Sequence, residues 1–200
     1  VTIYDLKPAF QNLLRPGCQA LVRAGVTANQ VTILAMLVSL VIGALFAYYP
    51  TQAWAALLIP AWLFLRMALN AIDGMMAREH AMQSPLGGFL NELTDVISDA
   101  ALYLPFAMVP GISPGIIVFI VFASLLVEMT GVVAVQVGAS RRYDGPMGKS
   151  DRAFVFGLLG LLVGLGVPLA PWVNPALGVV SALAAWTIIN RIRNGLRELS

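Results

Sequence analysis

Three long stretches of the chain, residues 24–65, 100–127 and 153–190, carry no charged side chain, and the polar positions that flank them recur at helical spacing. About 20 apolar residues in a helix cross a hydrocarbon core about 30 Å thick, so these stretches divide into spans wherever proline or a polar cluster interrupts them. The interruptions predict six helices, at about 30–49, 52–78, 86–109, 113–139, 151–168 and 174–195. Ahead of them, Val1–Ala28 sets Ile3, Leu6, Phe10, Leu13, Leu14, Leu21 and Val22 against Lys7, Gln11 and Arg15 on another face. That is the pattern of an amphipathic helix lying in the membrane interface, kinked at Pro16, which either borders a headgroup site or only anchors the chain. Thr27 is placed to cap the first span, and Asn29 and Thr32 either serve the cap or face a ligand. The expectation is an all-α integral membrane protein, with six transmembrane helices and an N-terminal amphipathic interfacial helix. It forms one domain over 1–200, interfacial over 1–28 and a bundle over about 30–195.

Composition and charge fix the setting. Of 200 residues 59% are hydrophobic and 11% charged, against roughly 25% charged in a soluble domain, so a soluble globular class is excluded. Lys7, Arg15 and Arg23 precede the first helix and Arg78 lies between the second and third. Arg141, Arg142, Lys149 and Arg152 lie between the fourth and fifth, and Arg191, Arg193 and Arg197 follow the sixth. The connections near Pro50, Pro110 and Pro171 have no basic residue, which predicts a multi-pass protein of the inner or plasma membrane with both termini cytoplasmic. The last three arginines are expected to touch anionic headgroups. The first 29 residues do not read as a cleavable signal peptide. Cys18, the single cysteine, offers no disulfide or metal framework, and no nucleic-acid partner is expected.

The candidate chemistry lies between Asn70 and Asp99. Arg66, Asn70, Asp73 and Ala77 share one helix face, and Asn91, Asp95 and Asp99 share another after a polar break at Arg78–Pro85. Ser84-Pro85 closes the break, so the two helices turn back on each other and their oxygen-bearing side chains converge. Carboxylates at the edge of a bilayer are costly and mark function by default. Asp73-Gly74 sets an anionic oxygen beside a residue with no side chain, Ala77 is small one turn on, and Arg78 supplies a guanidinium suited to phosphate. Gly87 and Gly88 leave room across the turn. Oxygen ligands on two helices suit Mg2+ or Mn2+; the alternative is a set of interhelical hydrogen bonds, against which the clustering of small and acidic residues counts.

Asn70-Ala-Ile-Asp73-Gly74-Met-Met-Ala77-Arg78, then eight residues, then Gly87-Gly-Phe-Leu-Asn91-Glu-Leu-Thr-Asp95 resembles the motif of the CDP-alcohol phosphatidyltransferases. That motif reads D-x-x-D-G-x-x-A-R and, about eight residues on, G-x-x-x-D-x-x-x-D. Asp73, Gly74, Ala77, Arg78, Gly87 and Asp95 hold the family's residue, Ser84 often accompanies the motif, and the first and third aspartates are Asn70 and Asn91 here. The resemblance implies six spans, a homodimer and an enzyme of phospholipid synthesis. Such an enzyme moves a phosphatidyl or similar group from a CDP-linked lipid, such as CDP-diacylglycerol, to an alcohol and releases CMP. By position, Asp95 is the catalytic base and a metal ligand, Asp73 a metal ligand, and Asn70 and Asn91 neutral ligands, while Asp99 could restore a charge one turn on. Asp73, Gly74, Ala77, Arg78 and Gly87 are the implied nucleotide contacts. The family binds two divalent metals through four carboxylates, so two amides imply one ion or weaker binding of Mg2+ or Mn2+. An active variant, a relative that binds CDP-lipid or metal without turnover, and a chain altered by design all fit the motif. A small transporter is a third class, opposed by the uncharged outer half of every span.

Two further clusters stand out. Depth counting puts Arg66, Asp99 and Glu128 at one level, either as a structural ion-paired clamp or in support of the metal site. Arg141, Arg142, Lys149 and Arg152, beside glycines, either bind a phosphorylated acceptor or only obey the charge rule. Gly157, Gly160 and Gly164 favour close helix packing, with a second copy as one partner.

Overall fold

The computed structural model describes residues 3–199, with side chains from Ala9 onward, so Val1 and the side chains of Ile3, Leu6 and Lys7 in the expected interfacial pattern lie outside the described residues. Seven α-helices follow in order: α1 (Ile3–Arg23), α2 (Ala28–Tyr48), α3 (Ala53–Glu79), α4 (Pro85–Tyr103), α5 (Pro114–Gln136), α6 (Lys149–Gly164) and α7 (Val173–Leu199). The helix starts are written locally. Thr27 Oγ1 accepts from the Gln30 N–H at 3.3 Å while Gln30 Oε1 accepts from the Thr27 N–H at 2.9 Å, a reciprocal cap for α2. Ser84 Oγ accepts from the Gly87 N–H at 3.0 Å, with Pro85 in the first position of α4.

Proline and glycine set how closely the helices approach. Pro60 in α3 and Pro105 beyond α4 lack the N–H that would bond the carbonyls of Ala56 and Ala101 four residues back. In each case a glycine of a neighbouring helix lies against that oxygen. A Cβ on Gly160 would stand 3.1 Å from Ala56 O, and one on Gly43 would overlap Ala101 O. Pro105 also ends α4 at Tyr103, short of residue 109, and the chain continues as a 3-10 turn, Leu104–Met108. The row Gly157, Gly160 and Gly164 packs on α3 of the same chain, through Leu63, Pro60 and Leu57. α1 continues through Pro16 as one helix.

α2 packs on both α3 and α4, α5 on α7, and α1 on α3. Phe46, Ile59, Leu102, Phe106, Ile117, Ile120 and Phe156 form a fully buried core. Phe64, Phe119, Phe122, Val179 and Trp186 point outward, as lipid permits and water does not. The molecule is an all-α membrane protein in which α2, α3, α5 and α7 are long and apolar enough to cross a bilayer. Of the six expected spans, α4, with three carboxylates in 19 residues, and α6, with 16 residues, fall short of that standard.

Candidate active site

Because α3 and α4 both lean on α2, they face each other across a gap, and the motif side chains line it. One cavity opens there and a second lies on the α6 side of α3. A cleft of about 600 Å³ is bounded by Asn29 and Thr32 of α2, by Asp73, Gly74, Ala77 and Arg78 of α3, and by Ser84, Gly87 and Asn91 at the start of α4. A groove of about 400 Å³ runs between α3 and α6, apolar along Leu63, Phe64, Met67, Phe154 and Leu158 and polar at one end, where Arg66, Asn70 and Lys149 meet.

The two motif carboxylates are held differently. Asp73 is buried on the cleft side, where Oδ2 accepts from Thr32 Oγ1 at 2.7 Å. Among the described residues it makes no ion pair. Asp95 is half-buried and turned toward the groove: Oδ1 accepts from Arg66 Nη2 at 3.1 Å and from Asn70 Nδ2 at 3.5 Å, and Oδ2 is paired with Lys149 Nζ. The glycines keep the cleft open. A Cβ on Gly74 would stand 3.3 Å from the Arg78 guanidinium, and one on Gly87 would stand 2.9 Å from Asn29 Oδ1.

One turn deeper lies a sealed ion network. Asp99 Oδ1 accepts from Arg66 Nη1 at 2.6 Å and Oδ2 from Arg152 Nη2 at 3.3 Å; Arg152 also donates to Glu128 Oε1 at 2.8 Å. The expected grouping of Arg66, Asp99 and Glu128 exists, with Arg152 as the link to Glu128. Asp99, expected as a further metal ligand, faces neither the cleft nor the groove, because arginines take both its oxygens.

Of the four cations expected in a phosphate-binding loop, only Lys149 reaches the groove. Arg152 belongs to α6, which starts at Lys149, and is 1% exposed. The signal for that earlier start was Asp151, whose Oδ2 accepts from the Gly148 N–H at 2.9 Å, three residues back. Arg141 forks onto both oxygens of Glu92. Arg142 donates to Asp144 at 2.7 and 2.8 Å and to Glu198 at 2.6 Å. The hydrogen-bonded Arg142 guanidinium holds the Asp144 carboxyl below the usual carboxylate range. Arg191 is 2% exposed and turns away from any headgroup, donating to Val127 O at 2.5 Å and Asp144 O at 3.2 Å. Such burial is sustained by those carbonyls and by Glu128 at 3.7 Å.

The donors on the cleft are oxygens: the Asp73 carboxylate, the Asn91 amide and the Thr32 hydroxyl. Among the described residues no three carboxylate, imidazole or thiolate side chains converge as a metal cage. This set fits an ion of the Mg2+ type, which takes one or two carboxylates and completes its shell with water and substrate phosphates.

The sequence profile of the CDP-alcohol phosphatidyltransferases matches residues 25–191. The chain is 45% identical over 196 residues to the inner membrane protein YnbA of Escherichia coli (strain K12), covering 98% of this chain and 97% of that one. It is 31% identical over 157 residues to an archaetidylinositol phosphate synthase of Aeropyrum pernix, covering 72% and 76%. It is 28% identical to a phosphatidylinositol phosphate synthase of Corynebacterium glutamicum, covering 95% and 86%. Among solved structures, the phosphatidylinositol phosphate synthase PgsA1 of Mycobacterium tuberculosis superposes with a TM-score of 0.73 when CDP-DAG is bound, at 20% identity over 90% of this chain and 92% of that one. Its complex with manganese and citrate gives 0.74 at 22% identity, over 90% and 88%. The chain belongs to the CDP-alcohol phosphatidyltransferase family.

Proposed function

We propose that the protein transfers a phosphatidyl or similar lipid-phosphate group from a CDP-linked lipid, such as CDP-diacylglycerol, to an alcohol, with release of CMP. The observation that carries this reading is the division of the motif between a polar cleft and a lipid-facing groove on either side of Asp95. The cleft has the volume of a nucleotide site. Cytidine would rest against Gly74, Ala77 and Gly87, where side chains would intrude, with Arg78 on the diphosphate. The apolar length of the groove suits an acyl chain.

Mg2+ or Mn2+ would be held by Asp73 with Asn91 and the substrate's own diphosphate; when bound, such an ion stabilises charge on phosphate oxygens. Asp95, oriented by Arg66, takes the proton from the acceptor hydroxyl as that oxygen attacks the phosphorus bearing the lipid. The bond from that phosphorus to the bridging oxygen breaks, and CMP leaves. Lys149 beside Asp95 offers a cation to a phosphorylated acceptor, and the names of the inositol phosphate synthases among the relatives support that class. Arg141, Arg142 and Arg152, each already ion-paired, support the loop and α6 instead. We further assign six crossings, counting α4 with its 3-10 turn and α6, in an inner membrane with both termini cytoplasmic. The homodimer rests on the family resemblance alone.

The test is CMP release by the purified protein, given CDP-diacylglycerol, Mg2+ or Mn2+ and a panel of free and phosphorylated alcohols. Metal-dependent release that is lost in Asp95→Ala is the expected result. No release with any acceptor, regained by Asn70→Asp with Asn91→Asp, would overturn it. That outcome would leave a protein that binds the CDP-lipid without turnover, a reading favoured by the cations already on Asp95.

A further inference from the structure

Asp73 and Asp95 are the two carboxylates left in the motif, and they do not share a cavity. Asp73 lines the cleft. Asp95 faces Arg66, Asn70 and Lys149, which line the groove. Asn70 turns an N–H, and not an oxygen, toward Asp95, at 3.5 Å. The Asp95 carboxylate thus meets two cations and an amide donor from the protein itself, whereas Asp73 meets the Thr32 hydroxyl and the Gly74 backbone N–H and, among the described residues, no cation at ion-pair distance. Charge counting points the same way. Asp95 is already answered by Lys149 and Arg66, so a second ion there would lie against an ammonium and a guanidinium, whereas Asp73 has no ion-pair partner among the described residues.

We infer that this site works with one divalent cation, held at Asp73, and that the Lys149 ammonium locked on Asp95 stands in the place of a second. A lysine is suited to this. Its ammonium is a compact point charge with three donors on a flexible stem, so one N–H can stay on Asp95 Oδ2 while another meets a phosphate oxygen. Asn70 completes the exchange, since an aspartate there would put a further negative charge beside Asp95 and call for a further cation. The inference shares with the transferase reading only the placement of the ion and diphosphate in the cleft.

Mn2+ titration of the purified chain in detergent, without CDP-lipid, tests it, with free Mn2+ followed by paramagnetic resonance and heat by calorimetry. The expected counts are one ion per chain in the unmodified protein, none in Asp73→Ala, one in Lys149→Arg, and two in Lys149→Met with Asn70→Asp. Two ions in the unmodified protein, an ion retained in Asp73→Ala, or a count of one in the folded double variant would each overturn it. If the double variant does not fold, Lys149→Met alone decides. Removing a cation next to the site should tighten the single ion by about tenfold, and unchanged affinity refutes the exchange. CMP release is read separately. One ion bound with no CMP released refutes the transferase reading and leaves this inference standing, whereas CMP release with two ions bound refutes only the inference.

Discussion

Two layers of charge lie about one helical turn apart in this protein, and they are built on opposite plans. In the deeper layer Arg66, Arg152 and Arg191, all at most 4% exposed, alternate with Asp99 and Glu128, so every charge has its counter-charge within the fold. In the shallower layer Asp73 meets the Thr32 hydroxyl and the Gly74 backbone N–H with no ion pair among the described residues, and Asn91 and Arg78 are exposed on an open cleft. Both layers draw on one stretch of α3 and α4, so proximity in sequence does not separate them. Their partners do. A buried charge answered by a counter-charge within the chain ties helices together, whereas one held only by neutral donors has room for a ligand. Asp95 touches both plans, through Arg66 below and Lys149 beside it.

The strongest way to break this comparison is Arg152→Met, which strips a cation from Asp99 and Glu128 at once. Removing one partner of a buried pair costs about 3–5 kcal/mol, so the variant is expected to melt far below the unmodified protein or to aggregate in detergent. A melting curve that superposes on the unmodified one would show that the deep layer is not structural. Asp73→Ala sharpens the other side. It removes the hydrogen bonds to Thr32 and the Gly74 N–H but no ion pair among the described residues, so stability should shift by only about 1–2 kcal/mol, while CMP release falls by about 100-fold or more. A matching loss of stability would erase the distinction between the layers. The smallest effect concerns Asp144. Its carboxyl is held below the usual range by the Arg142 hydrogen bonds, so its contribution is complete above the ordinary value of about 3.9 and is lost as pH falls through the lower folded value. Acidification below about pH 4 should weaken hydrogen-exchange protection over residues 139–148, and Asp144→Asn should reduce that acid dependence, with Glu198, which also fastens the loop, carrying the remainder.

Much of this was legible in the chain because its signals are local. The Thr27 cap, the break at Arg78–Pro85 closed by Ser84-Pro85 and the helical spacing of Asp73, Asn91 and Asp95 each depend on residues within a turn or two of one another. The pairing of Arg66 with Asp99 followed from depth alone. What escaped was where the long cations turn. Arg152 and Arg191 sit near helix ends that a charge rule assigns to the cytoplasmic side, in water or headgroups, yet both fold back into the core. The rule counts Cα positions, and an arginine side chain spans more than a helical turn, enough to reach Glu128 on a neighbouring helix. The contact of Lys149 with Asp95 was hidden for a similar reason, since it depends on how loop 137–148 is fastened to α7 by Glu198, Thr187 and Arg191.

The shortness of α6 has a consequence for the bilayer itself. Sixteen residues cover about 24 Å at about 1.5 Å per residue, some 6 Å less than a hydrocarbon core about 30 Å thick. On the six-crossing reading, lipid beside α6 must thin to match it. The headgroup plane then dips toward Lys149 at the polar end of the groove, and an incoming phospholipid arrives with its phosphate already near the depth of Asp95. Local deformation of the membrane would thus deliver the substrate sideways, and a thicker bilayer would slow its entry.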